Sequence, residues 1–443
     1  MSVTREAVLE ALSNIEDPDL GQDIVSLGFI KDLEITDRHV ALEIELTTPA
    51  CPVRDRFRDQ AVSLISALEG VGSVEVRLGS RRPARAPRAD RSGLDQVDTL
   101  VAIASGKGGV GKSTVAASIA MELARQGYRI GLLDLDIYGP SIPTLFEHHG
   151  IGLTGDEQNM VLPEELDGLK VMSFGFWLGD TPAIMRGPMV TNYVQQFLHQ
   201  VNWGELDYLF LDFPPGTGDV QITITQSAKL DGAVIVTTPH VLAAADVGKA
   251  IQMFDKVSVP VLGVVENMSY FEAPDTGTRH HVFGTGAAER IGTRFGLPIL
   301  GQLPISPGEF GGPTLESPRS PAMQAAVDAM VRQIGITRAG RRVPEFSYDE
   351  DAISLTWPDG ASHRVENRTL RASCQCAVCI DEYTGESKLD PDAIPESIHA
   401  RSVDTVGNYA LSIEWSDGHK TGFFPYSRIR ELAERDATPR ARE

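Results

Sequence analysis

The ten residues SGKGGVGKST, from Ser105 to Thr114, decide the fold of this chain. They stand between the apolar run TLVAIA and the stretch VAASIAMELARQG, whose apolar spacing is helical. Gly106 through Ser113 satisfy the phosphate-loop pattern G-x-x-x-x-G-K-S/T, and a strand before it with a helix after it is the context that this pattern requires. The stretch therefore predicts a nucleotide-binding P-loop.

The residue types of this loop suit phosphate chemistry. Glycines let backbone N–H groups wrap around phosphate oxygens, and the helix N-terminus adds its partial positive charge. Lys112 is expected to reach the β- and γ-phosphates, and Ser113 is expected to bind Mg²⁺. We therefore predict that ATP and Mg²⁺ bind along the loop, which comprises Gly106, Lys107, Gly108, Gly109, Val110, Gly111, Lys112, Ser113 and Thr114.

Aspartates end two later apolar runs, RIGLLDLD and DYLFLD. Carboxylates at the C-terminal ends of parallel strands face the ligand crevice. Asp212 fits the acid that holds Mg²⁺ directly or through water, and Asp136 fits the residue that orients the attacking water. Asp134 ranks below Asp136, because a carboxylate at that position can simply cap the strand end.

Further buried-strand patterns, GAVIVTTP and VLGVVENM, alternate with helical stretches. This alternation predicts an α/β fold with a doubly wound parallel sheet. A small α+β pattern precedes it, and short alternating runs with Asp-Gly turns follow it and predict a mostly-β domain. The predicted segments are a small N-terminal domain (1–79), an Arg- and Pro-rich linker (80–97), the ATPase core (98–338), a small mostly-β domain (339–434) and a disordered tail (435–443).

Composition narrows the partners and the compartment. The 443 residues carry a formal net charge of −21, so the chain is repelled by nucleic acids and by anionic lipids. The basic stretch RRPARAPRADR reads as a solvated linker rather than a phosphate-binding patch. No apolar run reaches ~18 residues and the N-terminus lacks the features of a secretory signal. We therefore expect a cytoplasmic protein that binds neither nucleic acid nor membrane.

Three of the four cysteines fall within the stretch SCQCAVC. In a reducing compartment, clustered Cys374, Cys376 and Cys379 indicate a metal site. His419 of WSDGHKTGFF can complete a tetrahedral set of three cysteines and one histidine. Structural zinc is the favoured interpretation, because a metal would supply much of the folding energy of so small a domain. An iron–sulfur cluster ranks second, and three unliganded thiols rank third because exposed thiols oxidise.

Lys107 carries further information, because a second lysine directly after the first glycine marks the deviant Walker A family, which the string KGGVGKST resembles. That resemblance implies that Lys107 reaches across a homodimer to the nucleotide of the partner. The motifs DLDIYGPS, MRGPM (Met185–Met189), DFPPGTGD and VENMSYF extend it, over roughly 98–335, to the Mrp/ApbC-type iron–sulfur cluster carriers. This narrower resemblance implies that Asn267 contacts adenine, and that the partners are a second copy, apo iron–sulfur proteins and assembly factors.

Both flanks resemble small domains of known families. Residues 5–78 resemble the SufT/PaaD-type iron–sulfur assembly domain, on EDPDLGQDIVSLGFI and TTPACPVRD. Cys51 lies in that second stretch, next to a predicted helix start that would lower its pKa and favour a thiolate ligand for a cluster. A small buried hydrophobe is the alternative. Residues 343–433 resemble the N-terminal zinc domain of gamma-butyrobetaine hydroxylase, which implies Cys374, Cys376, Cys379 and His419 as zinc ligands.

The chain departs from the carrier family at one place. Most Mrp/ApbC carriers have a C-P-x-C pair just after NMSYF, and two subunits share a 4Fe–4S cluster through it. Here Ala273 and Thr276 stand at the cysteine positions, and neither can supply a thiolate. His280 and His281 have the wrong spacing to replace the pair, so a 4Fe–4S cluster lacks its usual ligands here.

These observations favour a slow, Mg-dependent ATPase that couples nucleotide state to the delivery of iron–sulfur clusters to apo-proteins, with Lys107, Lys112, Asp136 and Asp212 as its catalytic residues. A regulatory or scaffold ATPase that carries no cluster is the alternative, and the missing cysteine pair favours it. A partitioning or positioning switch is a further alternative. Net charge and the charged C-terminal tail both weigh against such a switch.

Overall fold

The structure, a computed structural model, describes most of the chain. The Arg- and Pro-rich stretch 81–91, Met185 and Arg186 of MRGPM, and tail residues 438–443 lie outside the described residues. None of the described helices is long and apolar enough to cross a bilayer. The chain divides into two compact units, residues 1–89 with 327–339 and residues 90–326 with 340–443. The described residues are 3–80, 92–148, 154–157, 160–178, 187–305, 319–339, 344–357, 361–376, 378–380, 387–406 and 410–437.

The first unit is a small α+β domain, completed by residues 327–339 from a later helix. Its elements are α1 (Arg5–Leu12), β1 (Glu16–Asp17), β2 (Gln22–Asp23), β3 (Ile30–Thr36), β4 (His39–Leu46), α2 (Arg54–Ser66) and β5 (Ser73–Ser80). In the described part, β3, β4 and β5 form one sheet, with β4 antiparallel to β3 and parallel to β5. Every second residue of β4 is buried, because HVALEIEL alternates apolar with other side chains and side chains of a strand point to opposite faces in turn. The core lies between this sheet and the two helices, around Val8, Leu12 and Phe57.

The second unit is built on one large sheet. Its strands are β6 (Val97–Ser105), β7 (Ile130–Asp134), β8 (Glu164–Leu166), β9 (Leu169–Ser173), β10 (Leu206–Asp212), β11 (Gly232–Thr237), β12 (Val261–Glu272), β13 (Arg279–His280) and β14 (Ile299–Pro304). Among the described residues these nine strands run in the order β13, β12, β11, β6, β10, β7, β9, β8, and β14 also pairs with β12. Only the short strands β8 and β13 pair antiparallel. The predicted doubly wound parallel sheet is confirmed.

Helices cover this sheet. They are α3 (Lys112–Arg125), α4 (Ile142–Leu145), α5 (Phe174–Leu178), α6 (Gly187–His199), α7 (Asp219–Ser227), α8 (Val241–Lys256) and α9 (Ala287–Phe295). A later helix, α10 (Pro321–Ala339), begins in this unit, and its residues 327–339 belong to the first unit. Strand β6 lies between β10 and β11, and all nine of its residues are buried. A strand that is buried on both faces needs a continuous apolar run, which VDTLVAIAS largely provides. The P-loop therefore leaves the sheet from a strand that is buried along its whole length.

The C-terminal segment has a core of its own within the second unit. Its elements are β15 (Glu345–Tyr348), β16 (Ala352–Thr356), β17 (Ser362–Glu366), α11 (Asn367–Ala372), β18 (Ala400–Val406), β19 (Ala410–Trp415), β20 (Phe423–Pro425) and α12 (Tyr426–Ala437). In its described part the strands form two three-stranded antiparallel sheets. The core joins Trp415, Phe424 and Leu370 to the three clustered cysteines. Helix α12 ends at Ala437, so residues 435–437 of the predicted tail are helical.

Candidate functional site

The shape of the P-loop depends on its glycines. Gly109 and Gly111 have φ angles of +80° and +79°, in the left-handed region that glycine adopts without a steric cost. A Cβ atom on Gly106 would lie 2.4 Å from the carbonyl carbon of Asp246 in α8. A Cβ atom on Gly111 would lie 2.3 Å from Nδ2 of Asn267. Three of the loop glycines are thus required by backbone conformation, by close neighbours or by both.

Lys112 and Asp212 form the centre of the site. Lys112 opens α3 and Asp212 ends β10, the strand beside β6, so two parallel strands bring the side chains together. The Lys112 Nζ donates to Oδ1 of Asp212 at 2.5 Å and to Oγ of Ser113 at 3.3 Å. Burial raises the pKa of Asp212, and the ammonium group of Lys112 opposes that rise. The structure therefore places the predicted phosphate and Mg²⁺ ligands next to one another.

The donor set at this point suits a magnesium ion. The second carboxylate oxygen of Asp212, Oδ2, is buried and has no hydrogen-bond partner within the described part of the chain. The Ser113 hydroxyl and the Asp212 carboxylate both offer oxygen atoms, which are the ligands that Mg²⁺ prefers. The residues present thus fit the ion that nucleotide binding requires.

Asp134 and Asp136 occupy different environments at the end of β7. Asp134 is fully buried and accepts hydrogen bonds from the backbone N of Asp136 at 3.0 Å and from Oγ of Ser173 at 2.9 Å. Burial and the neighbouring charge of Asp212 raise its pKa to about 7. Asp136 is half-buried, and burial is the main reason that its pKa is also raised. Asp134 therefore stabilises the chain segment that follows β7, whereas the carboxylate of Asp136 is the more accessible of the two.

The two other predicted nucleotide ligands, Lys107 and Asn267, also lie at the loop. Lys107 Nζ forms an ion pair at 3.0 Å with Asp246, which also pairs with Lys249 at 3.1 Å. Asn267 Nδ2 donates to the carbonyl oxygen of Val110 at 3.0 Å. The predicted contacts with the partner's nucleotide and with adenine stay predictions. Sequence reasoning missed Asp246, because the surrounding stretch AADVGKA carries no motif that marks it.

In the C-terminal segment, Cys374, Cys376, Cys379 and His419 come together; we call these four residues the cysteine–histidine group. Their ligand atoms all lie within 4.8 Å of one another. Nε2 of His419 is 3.3, 3.5 and 3.9 Å from the Sγ atoms of the three cysteines in chain order. Ligands at ~2.0–2.3 Å from one tetrahedral zinc ion would be about 3.6 Å apart.

This spacing suits one ion. A four-iron cluster places its thiolates on different irons, and so farther apart than ligands of a single ion. In the described part of the chain, the cysteine–histidine group is the only set of three or more His, Cys, Asp or Glu side chains arranged to share an ion. The residues present therefore fit a single tetrahedral metal ion better than a cluster.

Local structure explains how the group forms. The backbone N of Cys379 and that of Ile380 each donate to the carbonyl oxygen of Cys376 at 2.9 Å, which closes a tight turn around the second and third cysteines. His419 lies in the turn after β19, where Gly418 has a φ of +85°. A Cβ atom on Gly422 would lie 2.6 Å from Sγ of Cys374. Two turns and the absence of a side chain at Gly422 thus allow the four ligand atoms to approach within 4.8 Å of one another.

The three thiols differ in acidity because each has different neighbours. The Cys374 thiol donates to Cys376 and, with a hydrogen bond from Thr421, lowers the pKa of Cys376 to about 4. The same hydrogen bond to Cys376, together with burial, raises the pKa of Cys374. Burial also raises the pKa of Cys379. A bound cation is what would let all three sulfurs ionise together.

Cys51 lies in the first unit, in a pocket beside the last part of α10. The pocket is lined by Asp17, Asp19, Leu20, Thr47, Thr48, Cys51, Pro52, Val331, Arg332, Gly335 and Ile336. Burial, followed by the charges of Asp17 and Asp19, raises the pKa of the Cys51 thiol to about 11. The sequence predicted a lowered pKa from the nearby helix start, and this was wrong because desolvation and two carboxylates outweigh the helix.

The hairpin between β12 and β13 carries the two replaced cysteine positions. The backbone N of Ala273 donates to the carbonyl oxygen of Thr278 at 2.9 Å, and the backbone N of Gly277 donates to that of Ala273 at 2.8 Å. The hairpin is therefore closed by backbone bonds, together with an ion pair of 3.2 Å between Arg279 and Glu272. His281, close by, shares a hydrogen bond of 3.0 Å with the carbonyl oxygen of Ser269.

Comparison with known families covers all three parts of the chain. Residues 96–334 match the family described as NUBPL iron-transfer P-loop NTPase. Residues 5–76 match the family described as iron-sulfur cluster assembly protein. Residues 345–430 match the family described as gamma-butyrobetaine hydroxylase-like, N-terminal.

Individual relatives agree with these matches. The chloroplastic Fe-S cluster assembly factor HCF101 of Oryza sativa subsp. japonica is 42% identical, over 99% of this chain and 84% of that protein. An iron-sulfur cluster carrier protein of Synechocystis is 42% identical, over 75% of this chain and 97% of that protein. Among solved structures, a nucleotide-binding protein from Archaeoglobus fulgidus in complex with ADP is 39% identical, over 54% of this chain and 89% of that one, with a TM-score of 0.44. The chain belongs to the iron-transfer P-loop NTPases, the family of the Mrp/ApbC-type iron–sulfur cluster carriers.

Proposed function

We propose that this chain is a slow, Mg-dependent ATPase that carries iron–sulfur clusters and delivers them to apo-proteins. The observation that carries the proposal is the buried contact of Lys112 with Asp212 and Ser113, in a chain whose relatives are named as carriers and assembly factors. The matched N-terminal assembly family supports the same pathway. The cytoplasmic location stays a prediction, since the rice relative is named as chloroplastic.

Each P-loop group has a separate task. The loop N–H groups bind the phosphates, and Lys112 exchanges its bond to Asp212 for the β- and γ-phosphate oxygens. Ser113 and Asp212 would hold Mg²⁺, which would supply positive charge to the phosphate groups. The half-buried carboxylate of Asp136 orients the attacking water. In a homodimer, Lys107 leaves Asp246 and reaches the partner's nucleotide, which couples hydrolysis to a conformational change.

The cysteine–histidine group is proposed to hold a structural zinc ion. Its ligand atoms have the spacing of one tetrahedral ion, and the cysteines are 2–3% exposed, within the core of the C-terminal segment. A set of four protein ligands is closed, because it leaves no position for an exchanging partner. The four cysteines of the chain are thus divided, three for zinc and one, Cys51, for cluster chemistry.

The ATPase part of the proposal is tested by replacing the central lysine. Lys112→Ala removes the cation that neutralises the transferring phosphate, and we expect turnover to fall by roughly 100- to 1,000-fold. Phosphate release is measured with the full chain and Mg·ATP. Lys31→Ala is the matched control, because that lysine also pairs with a carboxylate, Glu45, but is 48% exposed and lies in the first unit. Unchanged turnover in Lys112→Ala would rule the mechanism out.

A scaffold ATPase that carries no cluster is the second candidate. It is favoured by Ala273 and Thr276, which supply no thiolate, and by the raised pKa of Cys51, which opposes thiolate formation. Anaerobic reconstitution with iron and sulfide, followed by metal analysis and visible absorption, separates the two candidates. A carrier gains cluster absorbance that is lost in Cys51→Ala, whereas zinc alone in both proteins would reject the carrier.

A further inference from the structure

Arg371 lies directly behind the cysteine–histidine group. It is the fifth residue of the six-residue helix α11 and precedes Cys374 by three positions. Its side chain is only 7% exposed, and an arginine is rarely so buried unless it is paired. The guanidinium donates from Nη1 to Sγ of Cys379 at 3.5 Å and from Nε to Oδ2 of Asp417 at 2.9 Å.

These bonds join the two halves of the group. Cys379 belongs to the cysteine segment after α11, and Asp417 belongs to the turn after β19 that carries His419. The other carboxylate oxygen of Asp417, Oδ1, accepts a hydrogen bond from the backbone N of His419 at 2.9 Å. The buried guanidinium of Arg371 therefore contacts the sulfur of Cys379 directly. Through the carboxylate of Asp417 it is also linked to the backbone of His419.

The net charge of the metal site explains why a cation at Cys379 would be stabilising. Three thiolates and a neutral imidazole around a divalent ion leave one excess negative charge in a buried place. Buried charge is costly unless it is paired and hydrogen-bonded. Thr421 donates to Sγ of Cys376 at 3.3 Å as a neutral hydroxyl, whereas Arg371 brings a full positive charge to Cys379.

We propose that Arg371 is a positioning residue of the metal site, whose guanidinium stabilises the charge on the Cys379 sulfur and holds the His419 turn at ligand distance. The inference rests on the proposed zinc site and adds to it a residue that sets how tightly the ion is retained. Outer residues of this kind typically change metal affinity by about 10- to 100-fold. No ligand of the group is altered when Arg371 is replaced, so its contribution can be measured separately.

The test uses the full chain with zinc or cobalt bound. Arg371→Met keeps the apolar bulk and removes the charge, and we expect the zinc affinity measured by chelator competition to fall by about 10- to 100-fold. In the cobalt-loaded variant, the sulfur-to-cobalt charge-transfer band should move to lower energy, because a sulfur without a cationic donor gives up its electron more readily. Arg371→Lys keeps the positive charge but lacks the planar guanidinium with its several N–H donors. It should therefore recover part of the zinc affinity and part of the shift in the cobalt band.

Two further variants separate the roles of Arg371. Asp417→Asn removes the ion pair but leaves the guanidinium on Cys379, so its charge-transfer band should stay near that of the unaltered protein. Arg368→Met is the matched control, because this arginine lies in the same helix and donates to the carbonyl oxygen of Pro391 instead. An Arg371→Met protein with unaltered affinity and bands would overturn the proposal, and so would Asp417→Asn matching Arg371→Met in both readouts. If the unaltered protein binds no metal, the proposed zinc site itself fails.

Discussion

The P-loop and the cysteine–histidine group lie in the same compact unit, yet they differ in whether their charged ligand groups are paired by other protein groups. In the P-loop the protein already pairs its own ligands, Lys112 with Asp212 and Lys107 with Asp246. In the cysteine–histidine group the four ligand atoms face one another within 4.8 Å. A site whose charges are paired internally can fold without its ligand, whereas crowded thiolates need an ion to neutralise them. We therefore expect the nucleotide to be optional for folding and the metal to be required.

The largest expected effect is at the metal group. Cys374→Ser should release the ion and unfold the C-terminal segment, because structural zinc contributes about 10–16 kcal/mol in small zinc peptides. Hydrogen exchange on the full chain should then show lost protection in residues 344–437, while the large sheet keeps its protection. Val378→Ala is the control, because this side chain is 66% exposed within the same turn. If residues 344–437 kept their hydrogen-exchange protection in the zinc-free Cys374→Ser protein, the metal would not be required for folding, and the expected difference between the two sites would be wrong.

The next effect tests the pairing inside the P-loop. Lys112→Met leaves the buried carboxylate of Asp212 without its cation, a change that costs about 3–5 kcal/mol in buried pairs. The pKa of Asp212, already raised by burial, loses the lowering effect of Lys112 and rises further. The folded variant then binds a proton that the unfolded chain releases above pH ~4, so its stability falls as pH rises.

This pH dependence can be measured by urea unfolding at pH 5 and pH 8. The stability deficit of Lys112→Met relative to the unaltered protein should be smaller at pH 5. Lys249→Met, at an exposed ion pair, should show little deficit at either pH. An equal deficit at both values would show that Asp212 does not hold its charge through Lys112.

Cys51 sharpens the comparison, because it is a half-buried thiol that lies beside two carboxylates, Asp17 and Asp19, and outside the cysteine–histidine group. Its pKa of about 11, against an ordinary value of 9.0, lowers the thiolate fraction at pH 8 by roughly 100-fold. Alkylation of Cys51, followed by peptide mass spectrometry, should be slower by that factor than in the unfolded chain and should accelerate up to pH 10. Asp19→Asn should speed the reaction modestly. A rate equal to that of the unfolded chain would show that the pocket does not protect the thiol.

The smallest expected effect is at Asn267. Asn267→Ala removes the hydrogen bond to the carbonyl oxygen of Val110, and we expect ATP affinity to fall by about fivefold, which corresponds to ~1 kcal/mol. The matched control is Asn202→Ala, which removes a side-chain bond to Asp156 away from the P-loop. Titration with a fluorescent ATP analogue measures both variants. A loss of all binding in Asn267→Ala would mean that this residue is as central as Lys112.

Much of the fold follows from short patterns in the chain. SGKGGVGKST, bounded by an apolar run and a helical stretch, predicts the loop between β6 and α3, and the structure has β6 ending at Ser105 and α3 starting at Lys112. The alternation of apolar runs with helical stretches predicts the parallel sheet. The spacing of Cys374, Cys376 and Cys379, with His419, predicts a ligand set whose atoms the structure brings together.

Other features depend on contacts between distant segments. Asp246 meets Lys107, Arg371 meets Cys379 and Asp417, and residues of α10 meet Cys51, and no local pattern marks any of these pairs. The pKa of Cys51 shows most directly what local patterns cannot predict. The neighbouring helix start predicted a lowered pKa, whereas burial and two carboxylates raise it.

The amino-acid sequence alone thus determined the parallel sheet, the phosphate loop and the residue types of the metal set. Those features depend on backbone sterics and on apolar periodicity, which act over a few neighbouring residues. Packing decided which charges are paired, which thiol is buried and which arginine lies behind the metal ligands. Electrostatic free energy depends on distance and on exclusion of water, and both are set only when remote segments of the chain come into contact.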